Sequence, residues 1–103
     1  MPDPMKIRAT VIGEVVEVKV LMAHPMETGQ RKDGDGKLVP ARFITSVQAH
    51  CNERVVLSAD WGPSVSKNPF LAFRLRGVAK GDKISISWTD TAGESRTDEA
   101  QVV

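Results

Sequence analysis

Apolar and polar residues alternate with a period of two along most of this chain, and this pattern constrains the fold more than any other feature. In the clearest runs one face is apolar: Val16, Val18, Val20 and Met22; Phe43, Thr45, Val47, Ala49 and Cys51; Val55, Leu57, Ala59 and Trp61; Leu71, Phe73 and Leu75; and Ile84, Ile86 and Trp88. Residues 7–12 and 96–102 add weaker runs near the ends. Such alternation predicts strands with one buried and one solvated face.

Turn-forming residues separate these runs. Asn52-Glu53 forms a short break, the segment from Gly77 to Gly81 carries two glycines, and Asp90 to Gly93 has the composition of a hairpin loop. No segment shows a helical period over three turns. About seven short strands predict an all-β fold, an immunoglobulin-like β-sandwich. The length of 103 residues suits one domain spanning residues 1–103.

Composition narrows the classes of partner. Lys and Arg number 14 against 13 Asp and Glu, giving a net charge of +1, so nucleic-acid binding through a basic excess is not expected. No apolar run is long enough to span a membrane, and the N-terminal residues lack the apolar core of a secretory signal. One cysteine, Cys51, cannot form an intrachain disulfide.

Two segments do not have strand character. Residues 23–40 form a stretch unusually long for a structureless loop, which predicts either a functional loop or a small hairpin turning at Asp33-Gly34-Asp35-Gly36. Residues 62–69 are interrupted by Pro63 and Pro69. Long loops on a rigid scaffold often carry function, so both are candidate contact segments.

Metal chemistry finds little support in the sequence. Asp33 and Asp35 resemble the start of a calcium loop, but Lys37 and Leu38 occupy positions where the EF-hand pattern needs a ligand and a glycine, so a plain turn is predicted. His24, Met26, Glu27 and His50 include possible ligands without a recognised spacing. The two histidines are therefore interpreted as surface or half-buried side chains.

Nucleophilic chemistry is also weakly indicated. Cys51 shares the alternating face of Phe43 and Val47, which predicts a small core residue and not a reactive thiol. Ser64 or Ser66 beside Lys67 would need an oxyanion-binding group and an orienting acid, and neither is recognisable. A loop or partner-contact role is favoured for them. Trp61 and Trp88 are interpreted as core anchors, and Trp61 has the position of an interface residue.

Three segments together resemble the SoxZ family of sulfur oxidation. They are residues 20–29 (VLMAHPMETG), 61–70 (WGPSVSKNPF) and 93–99 (GESRTDE), and the similarity extends over nearly the whole chain. The resemblance implies an immunoglobulin-like sandwich, in agreement with the strand pattern. It also implies a non-catalytic subunit that pairs with SoxY, whose glycine-rich C-terminal arm carries the cysteine that holds sulfur intermediates from thiosulfate.

The resemblance further implies a periplasmic protein, exported with its signal-bearing partner, that docks transiently to the enzymes of the pathway. No cofactor, metal, nucleic acid or membrane contact is expected. The two loops, or an adjacent sheet face, are the expected contact surface, with these residues as candidates: His24, Pro25, Met26, Glu27, Trp61, Pro63, Ser66, Lys67 and Asn68. The alternatives are a SoxZ-like partner in a related periplasmic oxidation, and a small metal-binding or thiol-active protein.

Overall fold

The computed structural model describes residues 3–103; Met1 and Pro2, part of the N-terminal segment in which no secretory signal was expected, lie outside the described residues. Seven strands follow one another along the chain: β1 (Lys6–Ile12), β2 (Val15–Leu21), β3 (Ile44–Cys51), β4 (Arg54–Asp60), β5 (Phe70–Arg76), β6 (Lys83–Asp90) and β7 (Ser95–Gln101). Residues 3–103 contain no helix. The all-β prediction and the number of strands are confirmed.

The strands form two antiparallel sheets that enclose one core. One sheet has three strands in the order β1-β2-β5, and the other has four in the order β4-β3-β6-β7. In a constant-type immunoglobulin domain the fourth strand joins the sheet of the first two, whereas here β4 pairs with β3. The sandwich prediction is therefore confirmed, with its fourth strand in the opposite sheet.

The strands β2, β3 and β6 supply most of the core, and the alternating residues of β2 and β6 meet across it. Val16, Val18, Val20 and Met22 are completely buried on one sheet, and Ile84, Ile86 and Trp88 meet them from the other. Burial of one such side chain contributes roughly 1.5–3 kcal/mol. Alternation therefore identified the centre of the fold correctly, because these two strands have neighbours on both sides within their sheets.

Two β-bulges shift the predicted faces of β3 and β4. The register of β3 against β6 slips between Ile44 and Ser46, so Ile44, and not Thr45 as expected, is buried. The register of β3 against β4 slips between Ala49 and His50, and Val55 is 52% exposed although it was expected on the buried face of Leu57. An extra residue in one strand reverses the faces on either side of it, which period-two counting cannot detect.

The segment from residue 23 to residue 40 contains the small hairpin that its turn residues predicted. A bridge pairs Lys32 with Leu38, and the Asp33 N–H donates to the carbonyl of Lys37 at 2.8 Å. The Asp33 carboxylate accepts the N–H groups of Asp35 and Lys37, at 2.9 and 3.1 Å. This carboxylate therefore stabilises a turn.

Candidate functional site

The two loops predicted from the sequence meet at one end of the sandwich. The backbone N–H of His24 donates to Oδ1 of Asn68 at 3.0 Å, and the N–H of Asn68 donates back to the carbonyl of His24 at 2.9 Å. The N–H of Met22 donates to the carbonyl of Pro69 at 2.9 Å. Asn68 adopts a φ of 51°, a left-handed conformation that asparagine tolerates better than most residues. These contacts fix one loop against the other.

A cleft of about 670 Å³ lies between the two loops. Its walls come from both loops: Pro25, Met26, Glu27, Thr28 and Arg31 on one side, and residues 63–67 on the other. Glu27 and Arg31 form an ion pair at 2.8 Å, and the hydrogen bonds from Arg31 hold the pKa of Glu27 below its ordinary value. The cleft thus offers prolines, hydroxyl groups and three charged side chains.

His24, which precedes the cleft residue Pro25, lies in the protein interior, with 3% of its surface exposed. Its Nδ1 accepts the backbone N–H of Met26 at 3.0 Å, which places the ring proton on Nε2. Nε2 then donates to Oδ2 of Asp90 at 2.9 Å. The ring also meets Trp88 edge to face, with centroids 5.0 Å apart. The interpretation of His24 as a surface or half-buried side chain is therefore wrong.

Asp90 is the centre of a buried polar network and is 4% exposed. Its Oδ1 accepts the N–H groups of Ala92 and Glu94, at 3.0 and 2.9 Å, which shapes the hairpin between β6 and β7. Its Oδ2 accepts from His24 and from Nε of Arg42, the latter at 3.2 Å. Burial alone would raise the pKa of Asp90, but these four donors together hold it below its ordinary value.

Arg42 connects the loop of residues 22–43 to the hairpin between β6 and β7. Its guanidinium reaches Asp90 and also Oε2 of Glu94, at 2.7 Å, while its backbone pairs with that of Glu27. Neither Asp90 nor Arg42 was identified as part of a site from the sequence. A signal for Asp90 was present, since it follows Ile84, Ile86 and Trp88 at period two and so lies on the buried face. Arg42 carried no comparable signal.

The remaining predicted contact residues differ in how much they face solvent. Pro25, Pro63, Ser66, Lys67 and Asn68 are exposed, and Glu27 and Trp61 are half-buried. Met26 is buried, and its sulfur accepts the N–H of Ile44 at 3.4 Å. The structure therefore brings the residues of both loops together but gives His24 and Met26 interior positions. Their contact with a partner stays a prediction.

Cys51 lies at the opposite end of the sandwich, at the end of β3. It is 4% exposed, as its alternation predicted. Burial, and then the nearby Asp82 carboxylate, raise the pKa of the thiol above its ordinary value, with Arg54 opposing them. Because the thiolate is the nucleophilic form, this environment disfavours thiol chemistry. His50 is half-buried beside it.

The described residues hold no group of three or more His, Cys, Asp or Glu side chains arranged to bind a metal ion. None of their segments forms a helix long and apolar enough to cross a membrane. Ser64, Ser66 and Lys67 lie on the wall of the cleft. The fold and the site define a β-sandwich module with a cleft between two loops, and a hydrogen bond from Met26 to His24 links this cleft to a buried polar network.

A comparison with protein families assigns this module. The family model for the sulphur oxidation protein SoxZ matches residues 5–101, nearly the whole chain. The chain therefore belongs to the SoxZ family, and its role lies in sulfur oxidation. No curated protein matches the chain.

Proposed function

We propose that this chain is the non-catalytic partner of a SoxY-type carrier subunit, with which it forms a 1:1 complex. The proposal is supported by the family match and by the residues that the chain itself provides. SoxZ membership indicates sulfur oxidation. The resemblance to SoxZ implies a division of labour in which the partner's cysteine holds the sulfur intermediate. This subunit folds with the carrier and offers a docking face to the enzymes that act on the cargo.

The position of Cys51 is the observation that carries this assignment. Covalent carriage needs a nucleophilic thiolate on a segment that reaches several active sites. The chain's only cysteine is buried in β3, and its pKa is raised. A strand residue paired on both sides, with Arg54 and with Ile84, cannot swing between enzymes. The cargo is therefore assigned to the partner.

The proposed setting is the periplasm, reached by export in complex with the signal-bearing carrier. This follows the family resemblance and is tested by fractionating a host that expresses the chain with and without its partner. Periplasmic recovery of this chain only when the partner is present supports co-export. Equal recovery without the partner contradicts it.

Intact-mass measurement of the complex tests the division of labour. The complex is incubated with thiosulfate and the loading enzyme of the pathway, and each subunit is then weighed. The sulfur-containing mass is expected on the carrier, and this chain is expected to keep its unmodified mass. A stoichiometric adduct on Cys51 that downstream enzymes then consume would overturn the proposal.

A further inference from the structure

The two long sides of the sandwich are closed to different degrees. On one side, β1 and the C-terminus bridge the sheets, since the N–H of Val11 donates to the carbonyl of Val103 at 3.0 Å and the N–H of Val103 donates to the carbonyl of Ala9 at 2.9 Å. On the other side, β4 and β5 are the outermost strands of their sheets. No strand pairing joins these two strands among residues 3–103. This second side is therefore open.

β5 presents a long and regular edge on the open side. Its seven residues pair with β2 in one uninterrupted register, from Leu21 with Phe70 to Val15 with Arg76. The strand contains no proline or bulge, two devices that protect an edge from pairing, and its charged residues, Arg74 and Arg76, lie on the outer face of the sheet and not toward the core. The pairing of β4 with β3, by contrast, is interrupted by the bulge between Ala49 and His50 of β3. The outward N–H and C=O groups of β5 thus form a template for one more strand.

The core is also left partly uncovered along this edge. Leu71, Phe73 and Leu75 face the interior from β5 but are only half-buried, whereas Val18 and Val20 on the neighbouring strand are completely buried. Eight of the ten half-buried apolar side chains that pack against the core lie between residues 56 and 78, in β4, β5 and their connections. An added strand on β5 would cover this row.

The charges on the outer face of the three-stranded sheet indicate which kind of strand would pair with β5. The outer face of the three-stranded sheet carries five cations, Lys6, Arg8, Lys19, Arg74 and Arg76, against one carboxylate, Glu17. A second copy of this chain would extend the sheet with the same cationic face. A strand that bears carboxylates on its outer face and apolar side chains on its inner face is complementary to β5.

We propose that the carrier subunit binds by adding such a strand to the β5 edge, extending the three-stranded sheet across the two proteins. This inference rests on the proposed function, since it takes the carrier as its occupant. Strand addition uses main-chain hydrogen bonds for affinity and alternate side chains for specificity. Phe70, which is 62% exposed, begins β5 and directly follows the loop of residues 62–69. The interface on β5 would therefore continue into the loop residues that the sequence predicted as partner contacts.

Hydrogen exchange on the purified complex tests the location. The β5 amides that exchange rapidly in the free subunit are expected to become protected in the complex, while the amides of β1, the opposite edge of the same sheet, are expected to change little. Protection of β5 in the isolated chain that rises with concentration would assign the edge to a second copy. Unchanged β5 exchange in a stable 1:1 complex would overturn strand addition and leave the proposed function intact.

Two charge-reversal variants test the chemistry. The Arg74→Glu/Arg76→Glu variant changes the β5 edge, and the Lys6→Glu/Arg8→Glu variant makes the same change of net charge on β1. We expect the first to weaken association with the carrier tenfold or more and the second to weaken it less than threefold. Both variants should retain the wild-type circular dichroism spectrum. Equal weakening would overturn the β5 location, and failure of the wild-type chain to associate at all would overturn the proposed function as well.

Discussion

The two ends of the sandwich are held together in different ways. At the end that carries Cys51, the connections are short. Asn52 and Glu53 both have positive φ, as in a two-residue hairpin turn, and the N–H of Ala79 donates to Asp82 three residues away. Exposed bonds between Asn52 and Lys83 join this end to the start of β6. At the end that carries His24, the bonds join residues far apart in sequence. His24 and Asn68 are 44 residues apart, and His24 and Asp90 are 66.

The two ends therefore differ in how much they depend on interactions between residues far apart in sequence. The turn end, defined as residues 13–14, 51–54 and 77–82, consists of short turns, and a bond that links it to a more distant residue, that of Asn52 with Lys83, involves exposed residues. The loop end, defined as residues 22–43, 61–69 and 90–94, depends on bonds between distant residues. The buried Asp90 carboxylate joins the first of these loops to the third, and His24 joins the first to the second through Asn68. A change at the loop end should therefore propagate across the cleft, whereas a change at the turn end should stay local.

The largest expected effect follows removal of the carboxylate at the centre of the loop end. Asp90→Ala leaves the donors of His24, Arg42, Ala92 and Glu94 without their acceptor, and loss of one member of a buried charged network costs about 3 kcal/mol or more. Urea unfolding followed by Trp fluorescence measures the loss. Asp60→Ala changes an exposed carboxylate at the same end and is the matched control, expected to change stability by less than about 0.5 kcal/mol. Equal losses of stability in the Asp90→Ala and Asp60→Ala variants would show that the buried position of Asp90 does not increase its contribution.

Substitution of the two histidines tests the same difference between the ends, with a smaller expected loss of stability. His24→Ala removes the hydrogen bonds to Asp90 and Met26 and the edge contact with Trp88, and should cost about 2 kcal/mol. His50→Ala changes a half-buried imidazole next to the turn end and should cost less than about 0.5 kcal/mol. Thermal unfolding of both variants at neutral pH gives the measurement. A larger loss for His50→Ala would reverse the assignment of which end depends on long-range bonds.

Acid provides a third and weaker test of the same network. The folded-state pKa of Asp90 lies below its ordinary value of 3.8, so the stability it contributes is present above that value. This contribution is lost as pH falls from about 3.8 through the lower folded-state pKa, because the carboxyl group then binds a proton more readily in the unfolded chain than in the folded chain. The stability difference between wild type and Asp90→Asn should therefore be constant from pH 7 to pH 5 and should shrink below pH 4. A difference that stays constant down to pH 2 would contradict the role of the ionised carboxylate.

The sequence predicted the features that depend on residues within one strand better than the features that depend on residues far apart in the chain. Alternation identified the seven strands and the buried rows of β2 and β6, because a strand whose neighbours are on both sides shows its burial in its own residues. The bulges at Thr45 and near Val55 were missed because a single extra residue reverses the face without a compositional signal. The partial exposure of Leu71, Phe73 and Leu75 depends on an absent neighbour and was not visible in their own strand.

The candidate site divides in the same manner. Both loops were selected from prolines, turn residues and length, and the structure brings them together around one cleft. The bonds that position the loops could not be predicted, since His24, Arg42 and Asp90 come from three separate parts of the chain and meet only after the two sheets pack. Only the period-two position of Asp90 on the buried face of β6 gave a signal, and its turn-like sequence context concealed it.

The smallest expected effect is at Cys51, at the turn end. The thiol is a small core group with a raised pKa, so Cys51→Ala should cost about 1 kcal/mol of stability or less and should leave sulfur turnover in the reconstituted pathway unchanged. In the folded wild-type chain the thiol should react with a maleimide far more slowly than in urea, because both burial and the low thiolate fraction oppose the reaction. Sulfur turnover and the melting temperature of the Cys51→Ala chain are therefore measured together. A hundredfold loss of turnover in a variant that still melts near the wild-type temperature would give this cysteine a chemical role. The carrier assignment would then fail together with the view that the turn end is only structural.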